Sequence, residues 1–230
     1  MREAYLIFDL DGTLLDTLDD LWASVNYALA QFSLPLRSKC EVRSYLGNGA
    51  RFLILQATGS SQSEVVDSVY EVFRHHYFQH SHEHTRPYPG ILDMLRECKN
   101  RGYRTAIVSN KPDTAVQELY HCFFEGLIDV AIGQQPSVRR KPAPDMVFAA
   151  IQKLQSLKTT PSFLNTPLHI GEGSGERLFY IGDSEVDIAT ARAASLPCIC
   201  VDWGFRDRHF LEEQGATHII HLPEELFALL

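Results

Sequence analysis

The apolar run Tyr5-Leu6-Ile7-Phe8, halted by Asp9-Leu10-Asp11-Gly12-Thr13, constrains this chain more than any other stretch. Such a run has the composition and length of a parallel strand buried on both faces. Two carboxylates one residue apart at its end are unfavourable to desolvate, because like charges push one pKa up. A positive partner is therefore expected beside Asp9 and Asp11. Mg²⁺ suits them, as a hard cation that takes carboxylate and carbonyl oxygens. On its own, Asp-x-Asp-Gly also fits a strand followed by an ordinary Asp-Gly turn. The rest of the chain decides between the two.

From Thr17 to about His84 the pattern is helical throughout. Leu21, Val25, Ala28, Leu29 and Phe32 share one face of a helix over Thr17 to Phe32, with Thr17, Asp19 and Asp20 supplying a cap and first-turn acids. Ser38 to Leu46 and Ala50 to Ala57 read as short helices around Gly47-Asn48-Gly49, and Gln62 to His80 as a longer one. A strand followed by so much helix is not a plain βαβ unit. It indicates a helical domain, 16–85, inserted into a core made of 1–15 and 86–230. The stretch 74–84 holds five of the ten histidines (His75, His76, His80, His82, His84) and reads as a solvated helix end and linker; no cysteine or carboxylate at ligand spacing accompanies it.

Pro87-Tyr88-Pro89-Gly90 marks the return to the core. Helices are expected over Ile91 to Arg101, Asp113 to Phe124, Asp145 to Leu157 and Glu185 to Ala194. Strands are expected over Arg104 to Val108, Val130 to Ile132, Leu178 to Ile181, Cys198 to Val201 and His218 to Ile220. This alternation predicts an α/β fold with a doubly wound parallel sheet, whose ligand lies beyond the carboxyl ends of the strands. Lys158 to Arg177, rich in Pro and Gly, reads as a surface excursion.

The net charge of −8 argues against nucleic acid as partner, whose phosphates need a basic face, but not against a small phosphorylated metabolite. Five cysteines without a Cys-x-x-Cys fit reduced thiols in the cytoplasm. Neither a signal peptide nor a membrane-length apolar segment is expected. A monomer or homodimer is expected.

Asp9-x-Asp11-Gly12-Thr13, Ser109, Lys141 and Gly182-Asp183-Ser184-x-x-Asp187 together resemble the four ordered motifs of the haloacid dehalogenase superfamily. The helical insertion resembles that family's C1 cap. The second acid, Asp11, points to its phosphatase branch. The resemblance implies that Asp9 is a nucleophile forming an aspartyl phosphate. It implies Mg²⁺ ligands from the Asp9 carboxylate, the Asp11 main-chain carbonyl and the Asp183 carboxylate. Asp11 would act as general acid and then general base, which calls for a raised pKa. Lys141 would neutralise Asp9 and the phosphoryl group. Ser109, Asn110 and the main-chain N–H groups around Leu10 to Gly12 would hold phosphoryl oxygens, and Gly12 would allow close approach. Asp187 is expected near the metal or orienting Lys141, and Thr13 beside the site or as a turn residue.

Gly47-Asn48-Gly49-Ala50-Arg51 and Pro87 to Gly90 look like the cap loop and return of phosphoglycolate phosphatases. The reading is a Mg²⁺-dependent phosphatase of small monoesters. A phosphomutase of the β-phosphoglucomutase kind and a pyrophosphatase share the same residues, and a binding scaffold shares the same fold.

Overall fold

Strand β1 (Ala4–Phe8) is buried at every position, and its alternate residues serve two different cores. Ala4, Leu6 and Phe8 pack with Ile91, Leu95 and Leu119 on one face, whereas Tyr5 and Ile7 pack with Met146, Val147 and Ile151 on the other. A continuous apolar run with period-two side chains does this when both faces of a sheet are covered. The structure, a computed structural model, describes residues 4–157 and 177–230.

The chain continues through β2 (Leu15–Asp16), α1 (Leu18–Gln31), α2 (Lys39–Ser44), α3 (Ala50–Thr58), α4 (Ser63–His80) and β3 (Arg86–Pro87). Next come α5 (Ile91–Asn100), β4 (Arg104–Pro112), α6 (Asp113–Phe123), β5 (Val130–Gln134), α7 (Asp145–Ser156) and β6 (Arg177–Gly182). The last part holds α8 (Glu185–Ala193), β7 (Cys198–Val201), α9 (Arg208–Glu213), β8 (Ile219–Ile220) and α10 (Leu226–Leu229). Six strands form one parallel sheet in the order β5-β4-β1-β6-β7-β8. Successive strands move outward on one side of β1 and then on the other, so the topology reverses there. The crevice that a doubly wound sheet opens at such a reversal lies past the ends of β1, β4 and β6.

Helices α1 to α4 bury a cluster of their own that includes Leu21, Val25, Leu29, Leu53 and Phe73, and Phe205 from the loop after β7 joins it. The segments leading into and out of these helices, β2 and β3, pair antiparallel through Leu15 with Pro87 and Asp16 with Arg86. Asp20, 2% exposed, ties the same junction: its carboxylate accepts from the N–H groups of His84 and Thr85 and from the Thr85 hydroxyl.

Several boundaries differ from the sequence expectation for physical reasons. Thr17 does not cap α1 with its side chain; the Asp16 carboxylate accepts from Leu18 N–H instead, and Asp20 faces the junction rather than serving only the helix start. Strand β4 extends to Pro112, past the polar Ser109-Asn110-Lys111, because all three are buried and the backbone re-pairs with Gln134 after an irregularity. The two-residue pair β2–β3 has no periodicity to announce it. The surface excursion expected from Lys158 lies outside the described residues up to 176, and Arg177 opens β6.

Candidate active site

Asp9 and Asp11 follow β1, Ser109 to Lys111 lie near the C-terminal end of β4, Lys141 precedes α7, and Asp183 and Asp187 flank the β6–α8 junction. Lys141 is the hub of this group. Its ammonium lies 2.8 Å from Asp9 Oδ1 and 2.9 Å from Asp187 Oδ1, and donates to the Tyr180 hydroxyl at 3.1 Å. Tyr180 in turn donates to Asp187 at 3.1 Å. Burial alone would lower the Lys141 pKa, but Asp187 and Asp9 outweigh it and hold the amine well above its usual value. Burial pushes Asp9 up to about 7 even with Lys141 beside it.

Asp187 is fully buried, and both its oxygens are engaged. Oδ1 serves Lys141 and Tyr180, while Oδ2 accepts from the Ser184 hydroxyl at 2.6 Å and the Ser184 N–H at 3.1 Å, closing a capping box on α8. Its place is thus beside Lys141 rather than exposed to the cavity.

Asp183 is cradled from three directions. Thr13 donates to Oδ1 at 3.0 Å and the Phe205 N–H to Oδ2 at 2.7 Å. Gly12 has φ +89, and a Cβ there would overlap the Asp183 carboxylate. The close approach that Gly12 permits is therefore to Asp183. Burial, then Asp187 and Asp9, raise the Asp183 pKa well above the usual carboxylate range.

Two main-chain N–H groups of the first loop are used internally. Leu10 N–H donates to Asp9 Oδ1 at 2.7 Å and Gly12 N–H to the Leu15 carbonyl at 2.9 Å. The Asn110 amide also has partners: it donates to the carbonyls of Gly47 and Lys141, both at 3.2 Å, while its oxygen accepts from Lys141 N–H at 2.8 Å. Asn110 thereby fastens the loop of Lys141 and the Gly47 turn to β4. The Ser109 hydroxyl accepts from Lys111 N–H at 3.2 Å.

Above these groups, between the sheet ends and the inserted helices, is a cavity of about 240 Å³. Asp9, Asp11, Ser109, Asn110, Lys111 and Lys141 line its floor, and Leu21, Leu53, Tyr70, Phe73, Tyr77 and Phe78 its opposite wall. Arg51 is not among the lining residues; it pairs with Asp67 and Ser63 on the outside of the helices.

Asp9, Asp183 and Asp187 each offer an oxygen within 4.8 Å of the others. Three buried carboxylates around one lysine leave an excess of negative charge, and burial drives two of them toward protonation. A hard divalent cation would remove that excess, so the residues fit Mg²⁺. No histidine cluster offers a comparable set among the described residues. His76 meets Ser24 and stacks on Tyr27 and His80, and His84 meets Asp20.

Two site residues were not expected from sequence. Tyr180 lies inside an apolar strand and reads there as core. Lys111 follows Ser109-Asn110 and reads as a loop cation, yet it is buried against Asp11 with Nζ 2.7 Å from Oδ1.

A parallel sheet with acids and a lysine gathered past its central strands, roofed by an inserted helical unit, defines a hydrolase of the haloacid dehalogenase type. The chain belongs to that family: the sequence pattern of the haloacid dehalogenase-like hydrolases matches residues 6–201. It resembles the phosphoglycolate phosphatases within it. That of Mesorhizobium japonicum is 31% identical over 226 residues, covering 96% of this chain and 92% of its own. That of Cereibacter sphaeroides is 32% identical over 234 residues and covers 98% of both. A crystal structure from Lactobacillus delbrueckii subsp. bulgaricus superposes with a TM-score of 0.85 at 34% identity, over 98% of this chain and 97% of that one. Among the described residues no helix is long and apolar enough to cross a membrane.

Proposed function

We propose that the chain is a Mg²⁺-dependent phosphatase of small phosphate monoesters, phosphoglycolate-like, working through an aspartyl phosphate on Asp9. The observation that carries this reading is Lys141 held between Asp9 and Asp187 at the floor of the cavity.

Lys141 and Leu10 N–H both engage Asp9 Oδ1, which fixes the carboxylate in one orientation. Asp9 attacks phosphorus, the bond to the leaving oxygen breaks, and Asp11 gives that oxygen its proton. Asp11 then takes a proton from the water that attacks the aspartyl phosphate, and Asp9 is released. Mg²⁺, held by Asp9, Asp183 and the Asp11 carbonyl, would supply charge neutralisation between carboxylate and phosphate. Lys141 offsets the same repulsion from the other side. Ser109 lines the cavity, and its hydroxyl would donate to a phosphoryl oxygen. Residues 16–85 act as a cap that excludes water and contacts the leaving group, turning about the β2–β3 pair.

Phosphate release from 2-phosphoglycolate, pyrophosphate and sugar phosphates, with Mg²⁺ and with EDTA, tests this. Turnover that favours 2-phosphoglycolate, stops with EDTA and is abolished in Asp9→Asn is the expected result. Undiminished release by Asp9→Asn would refute the mechanism.

A further inference from the structure

Lys111 is a buried cation that the phosphoryl-transfer steps do not use. It is 7% exposed, lines the cavity, and lies where the sheet meets α4, with Nζ 2.7 Å from Asp11 Oδ1 and 4.7 Å from the centroid of the Tyr77 ring. An ammonium carries three N–H donors, and Asp11 takes one of them. Tyr77, 6% exposed, lines the same cavity, and its hydroxyl faces the Lys111 ammonium, from which it can accept. An oxygen that accepts from Lys111 leaves the phenol its own O–H to donate to a ligand atom.

Besides Lys111, the lining residues able to carry positive charge are Lys141, Arg74 and His75, and His75 is exposed. Leu21, Leu53, Phe73 and Phe78 are apolar, and an anion placed against them needs a cation. Lys141 is already shared between two carboxylates, and Arg74 is exposed and bound to Glu71 at 2.7 Å. Lys111 is therefore the cation available to the part of a substrate beyond the ester oxygen.

Its distance from the chemistry sets what that part can be. Asp11 serves the leaving oxygen through a hydrogen bond of about 2.7 Å, and Lys111 lies one further hydrogen bond beyond. A carboxylate on the carbon bonded to the ester oxygen reaches that far. A longer chain must fold back to present its charge to the ammonium and loses chain entropy in doing so.

We propose that Lys111 Nζ and the Tyr77 hydroxyl form a carboxylate subsite that selects phosphate esters of 2-hydroxy acids. The subsite rests on the phosphatase reading above and adds the groups that recognise the acid end of the leaving group. Both donors reach it from different units, Lys111 from the sheet and Tyr77 from the cap, so a bound carboxylate also joins the two.

The test compares kcat/KM for 2-phosphoglycolate with that for ethyl phosphate, in which a methyl group replaces the carboxylate. Lys111→Met, Lys111→Arg and Tyr77→Phe are measured beside the wild type, with Mg²⁺ present. The wild type prefers 2-phosphoglycolate. The ratio falls at least about tenfold in Lys111→Met and about threefold in Tyr77→Phe, the sizes of a charged and a neutral hydrogen bond. Lys111→Arg keeps more of the preference than Lys111→Met. Equal losses on both esters in these variants would overturn the subsite and leave Lys111 acting only on Asp11. If Lys111→Met does not fold, Tyr77→Phe, which keeps the Lys111–Asp11 pair, decides by the same ratio. A wild type that hydrolyses both esters without preference overturns the subsite but not the phosphatase. A wild type that hydrolyses neither ester overturns the subsite, and inactivity on pyrophosphate and sugar phosphates as well overturns the phosphatase.

Discussion

Arg206 donates through Nη1 to the main-chain carbonyl of Arg43 at 3.2 Å, and Arg43 answers across the same junction. Its guanidinium donates to the carbonyls of Phe205 at 2.9 Å and Gly204 at 2.6 Å, while Arg206 also reaches the Leu46 carbonyl at 2.9 Å. Glu185 holds Arg206 in place at 2.9 Å. The loop that Arg43 grips is the one whose Phe205 N–H supports Asp183. The seat of helices α1 to α4 and the proposed metal carboxylate thus share one backbone segment.

Arg43→Ala removes two hydrogen bonds from this latch and should loosen the cap. We expect kcat/KM to fall about tenfold, as for loss of a charge-assisted hydrogen bond, with faster amide exchange from Tyr45 to Gly49. Unchanged exchange in that segment would show that the arginines do not hold the cap.

Gly204 has no room for a side chain: a Cβ would overlap the Gly12 carbonyl and lie 2.6 Å from Asp183 Oδ2. Gly204→Ala should cost about 1–3 kcal/mol by overpacking. It should also weaken Mg²⁺ binding, measured by calorimetry, more than a surface Gln152→Ala control on α7. Equal Mg²⁺ affinity in both variants would separate Gly204 from the metal site.

The sheet was legible because Tyr5 to Phe8 carries both cores in one apolar run, and the residues expected at the site do converge past the strand ends. What sequence did not reveal depends on burial. Lys111 and Tyr180 belong to residue types whose ordinary places are surface and core, and only the fold sets them against Asp11 and Lys141. Asp20 looked like a first-turn acid because its partners, His84 and Thr85, lie at the far end of the inserted helices. The donors ascribed to Leu10, Gly12 and Asn110 are spent on internal hydrogen bonds that local sequence does not specify.

Asp187 supports Lys141 from a fully buried position, so removing its charge leaves the ammonium with Asp9 alone. Asp187→Ala should destabilise the protein by about 3–5 kcal/mol, the cost of breaking a buried pair by deleting one partner. Urea unfolding measures this. In a cycle with Lys141→Met the two losses should not add, because each single change already breaks the same Lys141–Asp187 contact. A double variant as unstable as the sum of the singles would show that the two do not act as a pair.

The Asp20 tie gives the junction between the sheet and helices α1 to α4 a definite acid sensitivity. Burial alone would raise this carboxyl, but hydrogen bonds from Thr85 and His84 outweigh it and hold the pKa below the ordinary 3.8. A group depressed in the folded state stabilises it above the unfolded-state pKa, and that stability is lost as pH falls through the folded value. Asp20→Ala should therefore cost about 1–3 kcal/mol at pH 7, where it also leaves the Thr85 N–H without its acceptor. The difference from wild type should hold steady down to about pH 5 and shrink below the ordinary value, as the wild-type carboxylate takes up its proton. Urea unfolding of both proteins across this range reads the trend. A difference that stays constant into acid would assign the junction's stability to packing rather than to the Asp20 carboxylate.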